Sequence, residues 1–215
     1  MNSEEVRAIF RDIGAAIEGT HVVYETEEHG SAYIDMKKIY ARPRKVRVLC
    51  GGLARLYADE WPDIVVGPGA SGAILAMFTA LHLSRMVRNE VAVVYSEMSG
   101  DEFVLSDEYD KLVHNRRVLV VADVLTTGAT AKRTANVVER CGGTVMGVAA
   151  LWNRGGVNES RIGLPMVRSL VNIRLDSWNE ASCPLCEQGI PMNPDVGLGV
   201  AFIARTREKF RHKRK

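Results

Sequence analysis

The sequence has few cysteines and, near its start, no long apolar run. Four cysteines among 215 residues are too few for a secreted domain of this size built on disulfides. Glu4 and Glu5 stand where a signal peptide would carry basic residues, and no apolar run follows them. Neither a signal peptide nor a membrane-spanning helix is therefore predicted, and a cytoplasmic protein without membrane contact is expected.

Internal repeats and linker-like stretches are also missing from the sequence. With 47% hydrophobic and 25% charged residues, the composition suits one globular domain with a sizeable core. The net charge of +2 is uneven, because the tail at 205–215 carries about +6 and leaves the rest of the chain near −4. Such a tail can attract RNA, but a solvated helix end is the commoner role, so nucleic-acid binding is not expected.

Cys183 and Cys186 form a C-x-x-C pair, which is half of a zinc site or a redox pair. None of the five histidines stands nearby to complete four ligands, and Pro184, Gly189 and Pro191 are typical of a turn-rich loop. A structural turn is the preferred interpretation, and zinc is the alternative.

The stretch from Val118 to Thr130, VLVVADVLTTGAT, combines a strand pattern with a polar turn. Its first four residues are apolar and mostly β-branched, which is typical of a strand covered on both faces in a parallel sheet. Asp123 stands where that strand would end, and a helix-compatible run from Ala131 to Arg140 follows the turn. This order predicts a carboxylate and small hydroxylated residues at the carboxyl edge of the sheet, where open α/β folds bind ligands.

The turn also has the properties of a phosphate-binding loop. Unpaired backbone N–H groups at the start of a helix attract phosphate, and small side chains let it come close. Thr126, Thr127 and Thr130 add hydroxyl donors, while Asp123 can accept hydrogen bonds from neighbouring sugar hydroxyls. A sugar phosphate fits both halves, although each residue taken alone also suits an ordinary cap or turn.

Taken together, residues 118–130 resemble the phosphoribosyl diphosphate (PRPP) binding motif of type I phosphoribosyltransferases. That motif joins a hydrophobic strand to two acidic residues, an aliphatic residue, Thr, a small residue and Gly; residues 123–128 match it, whereas Ala122 replaces the usual first acid. The resemblance implies that Asp123 is the catalytic residue, at the ribose. It also implies that the 5′-phosphate is bound by the turn, at Thr126, Thr127, Gly128, Ala129 and Thr130.

A second glycine-rich segment, GPGASG at 67–72, lies between a predicted strand at Ile64–Gly67 and an apolar helix at Ala73–Met86. It satisfies G-x-G-x-x-G, the dinucleotide fingerprint, and Glu97 stands roughly where a ribose-binding acid would lie. A dinucleotide-binding oxidoreductase is therefore an alternative. The predicted site at Asp123 argues against an oxidoreductase, because a dinucleotide-binding fold does not require a second phosphate-binding turn.

The same segment resembles the pyrophosphate loop of the orotate phosphoribosyltransferases, the group that this chain resembles most. A Tyr-x-Asp-x-Lys pattern at residues 33–37 is similar to the entry of a helix near their N-terminus. The resemblance implies that pyrophosphate is bound by Pro68, Gly69, Ala70, Ser71 and Lys37.

Residues 96–115 are polar and acidic, with apolar Phe103, Val104 and Leu105 in the middle, and predict a hairpin or a mobile flap. The orotate enzymes carry here a catalytic loop rich in Lys and Arg, but Met98 stands about where a Lys is often seen. A PRPP- or nucleotide-binding regulator with little turnover is therefore a further alternative.

Another predicted strand, Val145–Trp152, ends in Asn153 and Arg154. The orotate enzymes commonly have Asp-Arg at this turn, with the Arg reaching the carboxylate of orotate. The resemblance implies that Arg154 binds the base, while Asn153 departs from the pattern.

Helices and strands alternate along the middle of the chain, which predicts an α/β domain with a mainly parallel, helix-flanked sheet. The resemblance implies the type I phosphoribosyltransferase fold as one domain over 1–215. Its core would span about 40–176, a small hood would come from 1–40 and 177–204, and the basic tail would be 205–215.

The implied activity is Mg²⁺-dependent transfer of a 5-phosphoribosyl group from PRPP to a nucleobase, with orotate as first choice and pyrophosphate as product, as in pyrimidine biosynthesis. Mg²⁺ is expected to arrive with PRPP, so no metal site made of protein side chains is predicted. The resemblance also implies a homodimer.

Overall fold

The computed structural model describes residues 1–100 and 102–212, with side chains up to Thr206. Its helices are α1 (Ser3–Asp12), α2 (Met36–Tyr40), α3 (Pro43–Tyr57), α4 (Gly69–Val87), α5 (Asp107–Val113), α6 (Ala129–Arg140), α7 (Glu159–Ile162), α8 (Pro184–Glu187) and α9 (Gly199–His212). Its strands are β1 (Ala16–Val23), β2 (His29–Ile34), β3 (Ile64–Pro68), β4 (Ala92–Ser99), β5 (Glu102–Val104), β6 (Arg117–Leu125), β7 (Thr144–Asn153), β8 (Val167–Asn172) and β9 (Ser177–Trp178). Asp101 and the side chains of the predicted basic tail from Arg207 onward lie outside the described part.

The chain forms two compact units. The first contains residues 1–9 and 39–174, and the second contains residues 10–38 and the chain from Leu175 onward. The sheet of the first unit has the strand order β5-β4-β3-β6-β7-β8. Its neighbours pair in parallel except β4 and β5, which form an antiparallel hairpin. The predicted α/β class with a mainly parallel, helix-flanked sheet is confirmed.

Strand β6 is buried on both faces, as its apolar run predicts. Val118 and Val120 belong to a core cluster with Ala131 and Ala135 of α6. Because side chains alternate along a strand, Leu119 and Val121 point to the opposite face, and they too are fully buried. Helices α3 and α4 pack together, and α4 also lies against β3, β4 and β6. The sheet is therefore covered by helices on both sides.

The hydroxyl of Tyr57 contacts β7 and the residue before β8, close to a β-bulge in the pairing of β6 with β7. Parallel pairing of β6 with β7 shifts by one residue between Val118 and Leu119. Tyr57, fully buried on α3, donates to the carbonyl of Val148 at 2.9 Å and lies 3.2 Å from that of Met166. Burial raises the pKa of Tyr57, so its hydroxyl remains a donor at any physiological pH.

Helix α4 is long and apolar enough to cross a membrane by length and composition alone. Leu75, Ala76 and Leu83 are fully buried in the first unit, as in the core helix of a globular domain. Ile74, Met77 and Leu81, spaced along one face, are 38–51% exposed. One side of α4 therefore belongs to the core and the other presents an apolar stripe.

The second unit has its own small sheet, in the order β1-β2-β9, with antiparallel pairing throughout. The chain after α8 returns along β1, where Asn193 and Leu198 donate backbone hydrogen bonds to the carbonyls of His21 and Val23. Val22, Tyr24 and Val196 form its apolar cluster. Segments from the two ends of the sequence are thus bonded to each other within this unit.

We expect Tyr57→Phe to lower the free energy of unfolding by about 1–2 kcal/mol, because it removes the hydroxyl donor of the buried Val148 carbonyl on β7. Urea denaturation followed by circular dichroism measures the change. Tyr109→Phe, at a half-buried position on α5, is the matched control and should cost less than about 0.5 kcal/mol. Equal losses in the two variants would contradict this role of Tyr57.

Candidate active site

The candidate site lies in the first unit, at the point where the order of successive strands in the sheet reverses. Counted among the parallel strands alone, the order is 2-1-3-4-5, with β3 first and β6 third. In this order the connections from β3 and into β6 run to opposite sides of the sheet, which opens a crevice at the carboxyl ends of these two neighbours. The two predicted phosphate-binding turns follow those two strand ends.

The turn after β6 leads directly into α6. Gly128 has a φ of +81°, in the left-handed region that favours glycine, and Ala129 begins the helix. A Cβ atom on Gly128 would lie 2.6 Å from Ile162, so space as well as conformation requires glycine. Thr127 Oγ1 accepts from the Ala129 N–H at 3.2 Å. The turn thus presents backbone N–H groups and threonine hydroxyls at the start of a 12-residue helix.

The turn after β3 is shorter than predicted. The sequence pattern predicts a helix from Ala73, but α4 begins at Gly69, whose φ is +60°. Gly67 and Gly72 explain the tight start, because a Cβ on Gly67 would lie 2.1 Å from the Gly72 carbonyl oxygen. The amides of residues 69–71 therefore belong to the unpaired first turn of a helix, which has the same affinity for anions as a loop.

A cavity of about 150 Å³ lies at the turn after β6 and reaches the end of β3. Its walls are Pro68 at the end of β3 and residues 122–131 at the end of β6. A larger cavity, about 600 Å³, lies between the end of α4 and the start of β4 and contains none of the predicted site residues. The small polar cavity at the strand ends is the better candidate because it combines the N-terminus of α6 with the Asp123 carboxylate.

Asp123 is held in place by its own backbone and by Tyr40. One carboxylate oxygen accepts from the Val124 N–H at 2.7 Å, and the other accepts from the Tyr40 hydroxyl at 3.2 Å. Burial followed by the charge of Asp123 raises the pKa of Tyr40, and Ser71 is among the side chains that act on its hydroxyl. The phenol therefore lies near both turns. Sequence reasoning missed Tyr40, because no motif connects it with Asp123, which lies 83 positions further on.

Arg154 is tied to the turn after β6. Its N–H and that of Gly155 donate to the Leu125 carbonyl at 3.0 and 3.1 Å. The Arg154 side chain, 9% exposed, donates from Nε to Thr126 Oγ1 at 3.3 Å. Arg154 thus lies beside the predicted phosphate-binding turn, directly after the neighbouring strand β7.

Asn153, the departure from the Asp-Arg pattern, has a structural role. Its side-chain Nδ2 donates to the Val157 carbonyl at 2.7 Å, and its side-chain Oδ1 accepts from the Val157 N–H at 2.9 Å. An ionised Asp could accept only the second of these bonds. The amide therefore closes the turn that carries Arg154.

Two predicted features are not among the residues that line this cavity. The stretch at 96–115 forms the β4–β5 hairpin followed by α5, and Arg140 joins it to α6 through Glu102 at 3.7 Å and the Phe103 carbonyl. Lys37 belongs to the second unit, where its N–H donates to Asp35 Oδ1 at the start of α2.

The prediction that no histidine stands near Cys183 and Cys186 is wrong in three dimensions. His21 and His29, on the paired strands β1 and β2, lie beside the two cysteines in the second unit. The error has a simple cause, since Cys183 and His21 are 162 positions apart in the sequence.

The fold and the site define an α/β protein that binds an anionic, hydroxyl-bearing ligand at the carboxyl edge of a parallel sheet. A model of the phosphoribosyl transferase domain matches residues 35–182, and the chain belongs to that family. The resemblance found in the PRPP motif is confirmed, and the dinucleotide-binding alternative falls away.

Relatives and solved structures agree with this assignment. An orotate phosphoribosyltransferase from Caldicellulosiruptor saccharolyticus is 28% identical over 192 residues, which are 89% of this chain and 95% of the relative. The crystal structure of orotate phosphoribosyltransferase from Aeropyrum pernix has a TM-score of 0.63 at 22% identity, over 78% of this chain and 93% of that one. An adenine phosphoribosyltransferase from Thermoanaerobacter pseudethanolicus has a TM-score of 0.58 at 20% identity, over 80% of this chain and 100% of that one. Enzymes named for different bases therefore share the fold.

We expect Gly155→Ala to displace the turn at Thr126, because the added Cβ would lie 1.5 Å from the Thr126 carbonyl oxygen. The amide resonances of Thr126, Thr127 and Gly128 should shift, and the fold should lose about 1–3 kcal/mol of stability through overpacking. Gly156→Ala is the control, since nothing lies within 4 Å of its Cβ and only its φ of +61° is strained. Unmoved Thr126 resonances in Gly155→Ala would show that the two turns are not in contact.

Proposed function

We propose that this chain transfers a 5-phosphoribosyl group from PRPP to a nucleobase, with orotate as the first acceptor, and releases pyrophosphate. The observation that carries the proposal is the cavity lined by Asp123, the threonine turn and the start of α6, which reaches Pro68 just before the start of α4. PRPP carries a phosphate at one end, a pyrophosphate at the other and ribose hydroxyls between them. The names of the relatives favour orotate as the base.

Each group has a proposed role. The 5′-phosphate is bound by residues 126–130 and the pyrophosphate by residues 68–71, in each case through amides that start a helix. Asp123 accepts hydrogen bonds from the ribose hydroxyls, and Arg154 contacts the base. The role of Lys37 rests on the resemblance alone, and its position in the second unit adds nothing to it.

In this reaction a ring nitrogen of the base forms a bond to C1 of the ribose while the bond from C1 to the pyrophosphate oxygen breaks. Positive charge grows on the ribose and negative charge grows on the leaving group. The fixed amides of residues 69–71 stabilise the leaving group, and the Asp123 carboxylate stabilises the ribose cation. Tyr40 and the Val124 N–H hold that carboxylate in one orientation, so little reorganisation accompanies the step.

Mg²⁺ is proposed to enter with PRPP. Asp123 and the threonine hydroxyls of the turn supply oxygen atoms, the ligand type that Mg²⁺ prefers, but too few to complete six positions. The remaining ligands would be oxygens of PRPP and water. The ion would offset the negative charge of the pyrophosphate.

A PRPP-binding regulator with little turnover is a second candidate, favoured by Ala122. Ala122 is 8% exposed and lies in the apolar cluster beneath the cavity, where the family usually has an acid. Loss of one charged hydrogen bond costs on the order of 1.5–3 kcal/mol, or roughly a factor of ten to a hundred in rate or affinity. Such a loss weakens an enzyme without abolishing it.

The experiment incubates the protein with Mg²⁺, PRPP and, in turn, orotate, uracil, adenine, hypoxanthine and xanthine, and measures pyrophosphate release. We expect release with one base, orotate first, and a decrease of roughly ten- to a hundred-fold in Asp123→Asn, which removes the carboxylate charge. Asp59→Asn, on an exposed 3₁₀ turn, is the matched control and should leave the rate unchanged.

Pyrophosphate release with none of the bases would overturn the transferase. Calorimetry then separates the candidates, because a regulator binds PRPP tightly without turnover, and Ala122→Asp should restore turnover in a site that lost only this acid. Failure to bind PRPP would exclude both.

We also propose that the chain forms a homodimer through the apolar stripe of α4 at Ile74, Met77 and Leu81, together with exposed Val48 on α3. Leu81→Lys should then shift the protein from dimer to monomer in analytical ultracentrifugation, because the interface would bury an unpaired charge. Val200→Lys, at another exposed apolar side chain, should leave the dimer intact. A dimer that survives Leu81→Lys places the interface elsewhere.

A further inference from the structure

Two histidines and two cysteines converge at one point of the second unit. The ligand atoms of His21, His29, Cys183 and Cys186 all lie within 4.8 Å of one another. His21, His29 and Cys183 are buried and Cys186 is half-buried. This cluster belongs to a different unit from the cavity at Asp123 and has no part in the proposed transfer reaction.

The distances between the ligand atoms are those of a tetrahedral metal site. His21 Nε2 and His29 Nδ1 are 3.1 Å apart, and Cys186 Sγ is 3.3 Å from His29 Nδ1. Cys183 Sγ and Cys186 Sγ lie 3.5 and 3.8 Å from His21 Nε2. With Zn–N bonds of about 2.0–2.1 Å and Zn–S bonds of about 2.3 Å, the edges of a tetrahedron are about 3.3 Å between nitrogens and about 3.8 Å between sulfurs.

The bonding of His21 fixes which of its nitrogens faces the cluster as an acceptor. His21 Nδ1 lies 2.8 Å from the Ile190 carbonyl oxygen, which can only accept, so Nδ1 carries the hydrogen and Nε2 carries the lone pair. Three atoms surround that lone pair, namely His29 Nδ1 and the two sulfurs, but it can accept one good hydrogen bond. A cation at the centre satisfies all four groups at once, and a carbonyl behind the ligating histidine is a frequent outer partner at metal sites.

The ligands also stand on well-bonded backbone. His29 pairs with Trp178 across β2 and β9, and His21 forms a bridge with Met192. Cys183 directly precedes the short helix α8, and Cys186 lies within it. The Glu187 N–H of this helix donates to the Cys183 carbonyl. The four positions are thus held by hydrogen bonds independent of the metal, which lowers the entropy lost on binding.

We infer that His21, His29, Cys183 and Cys186 bind one Zn²⁺ ion in a structural site. Two thiolates and two neutral imidazoles cancel the charge of Zn²⁺, so the buried cluster carries no net charge. Four protein ligands leave no open position for substrate, which separates this site from catalytic zinc centres. The ion would join the β1–β2 hairpin to the segment after β9 and add its binding free energy to the folding of the second unit.

The test measures metal content in the full-length protein, purified without a histidine tag, by mass spectrometry. About one zinc per chain is expected in the wild type and less than about a tenth in Cys183→Ser/Cys186→Ser and in His21→Asn. Cys141→Ser and His82→Asn, which change the same residue types in the first unit, should keep the full content.

A second measurement does not depend on the folding of the variants. Wild-type protein loaded with Co²⁺ should show the intense visible bands of a tetrahedral ion and the charge-transfer bands of thiolate ligands. Wild type without bound zinc and without these bands, or full zinc content in the cysteine double variant, would overturn the site. Neither readout involves PRPP or a base, so a failure here is distinct from a failure of the proposed transferase.

Discussion

The structure of the candidate site depends on one constraint, the adjacency of β3 and β6 in a sheet that continues outward from them in opposite directions. Parallel pairing of Ile64 with Val118 and of Val66 with Val120 sets the two strand ends side by side. Each strand is followed within a few residues by a long helix, so two sets of unpaired N–H groups stand at neighbouring strand ends. A ligand with an anion at each end is the natural occupant of such a crevice.

Several parts of this arrangement were predictable from sequence because they depend on local patterns. The buried run of β6, Asp123 at its end and the small residues before α6 are consecutive in the chain. The start of α4 was misplaced by four residues, because glycines at 69 and 72 weaken the helical pattern although their lack of Cβ allows the tight turn. Tyr40 and the partners of the C-x-x-C pair were not predictable, since contacts between residues that lie far apart in sequence leave no local signal. Asn153 departs from the family's Asp-Arg pattern, yet its amide makes two backbone bonds, one of which a carboxylate cannot make.

The two units differ in the size of the apolar clusters that their described residues form. The first has a continuous core in which strands such as β6 are fully buried, as expected for a parallel sheet between helices. The second has a small sheet and a small apolar cluster, around Val22, Tyr24 and Val196. Units with so little apolar burial commonly depend on cross-links or metals, and the cluster of two histidines and two cysteines lies in this unit.

The contact between Gly155 and the Thr126 carbonyl couples the positions of the turns after β6 and β7. Two backbone bonds to Leu125 and one side-chain bond to Thr126 reinforce that contact. A shift of the threonine turn by a fraction of an ångström therefore carries the Arg154 guanidinium with it. A substitution that adapts the Arg154 turn to a new acceptor therefore also shifts the threonine turn. Substitutions in the two turns should accordingly arise in pairs as such proteins diverge.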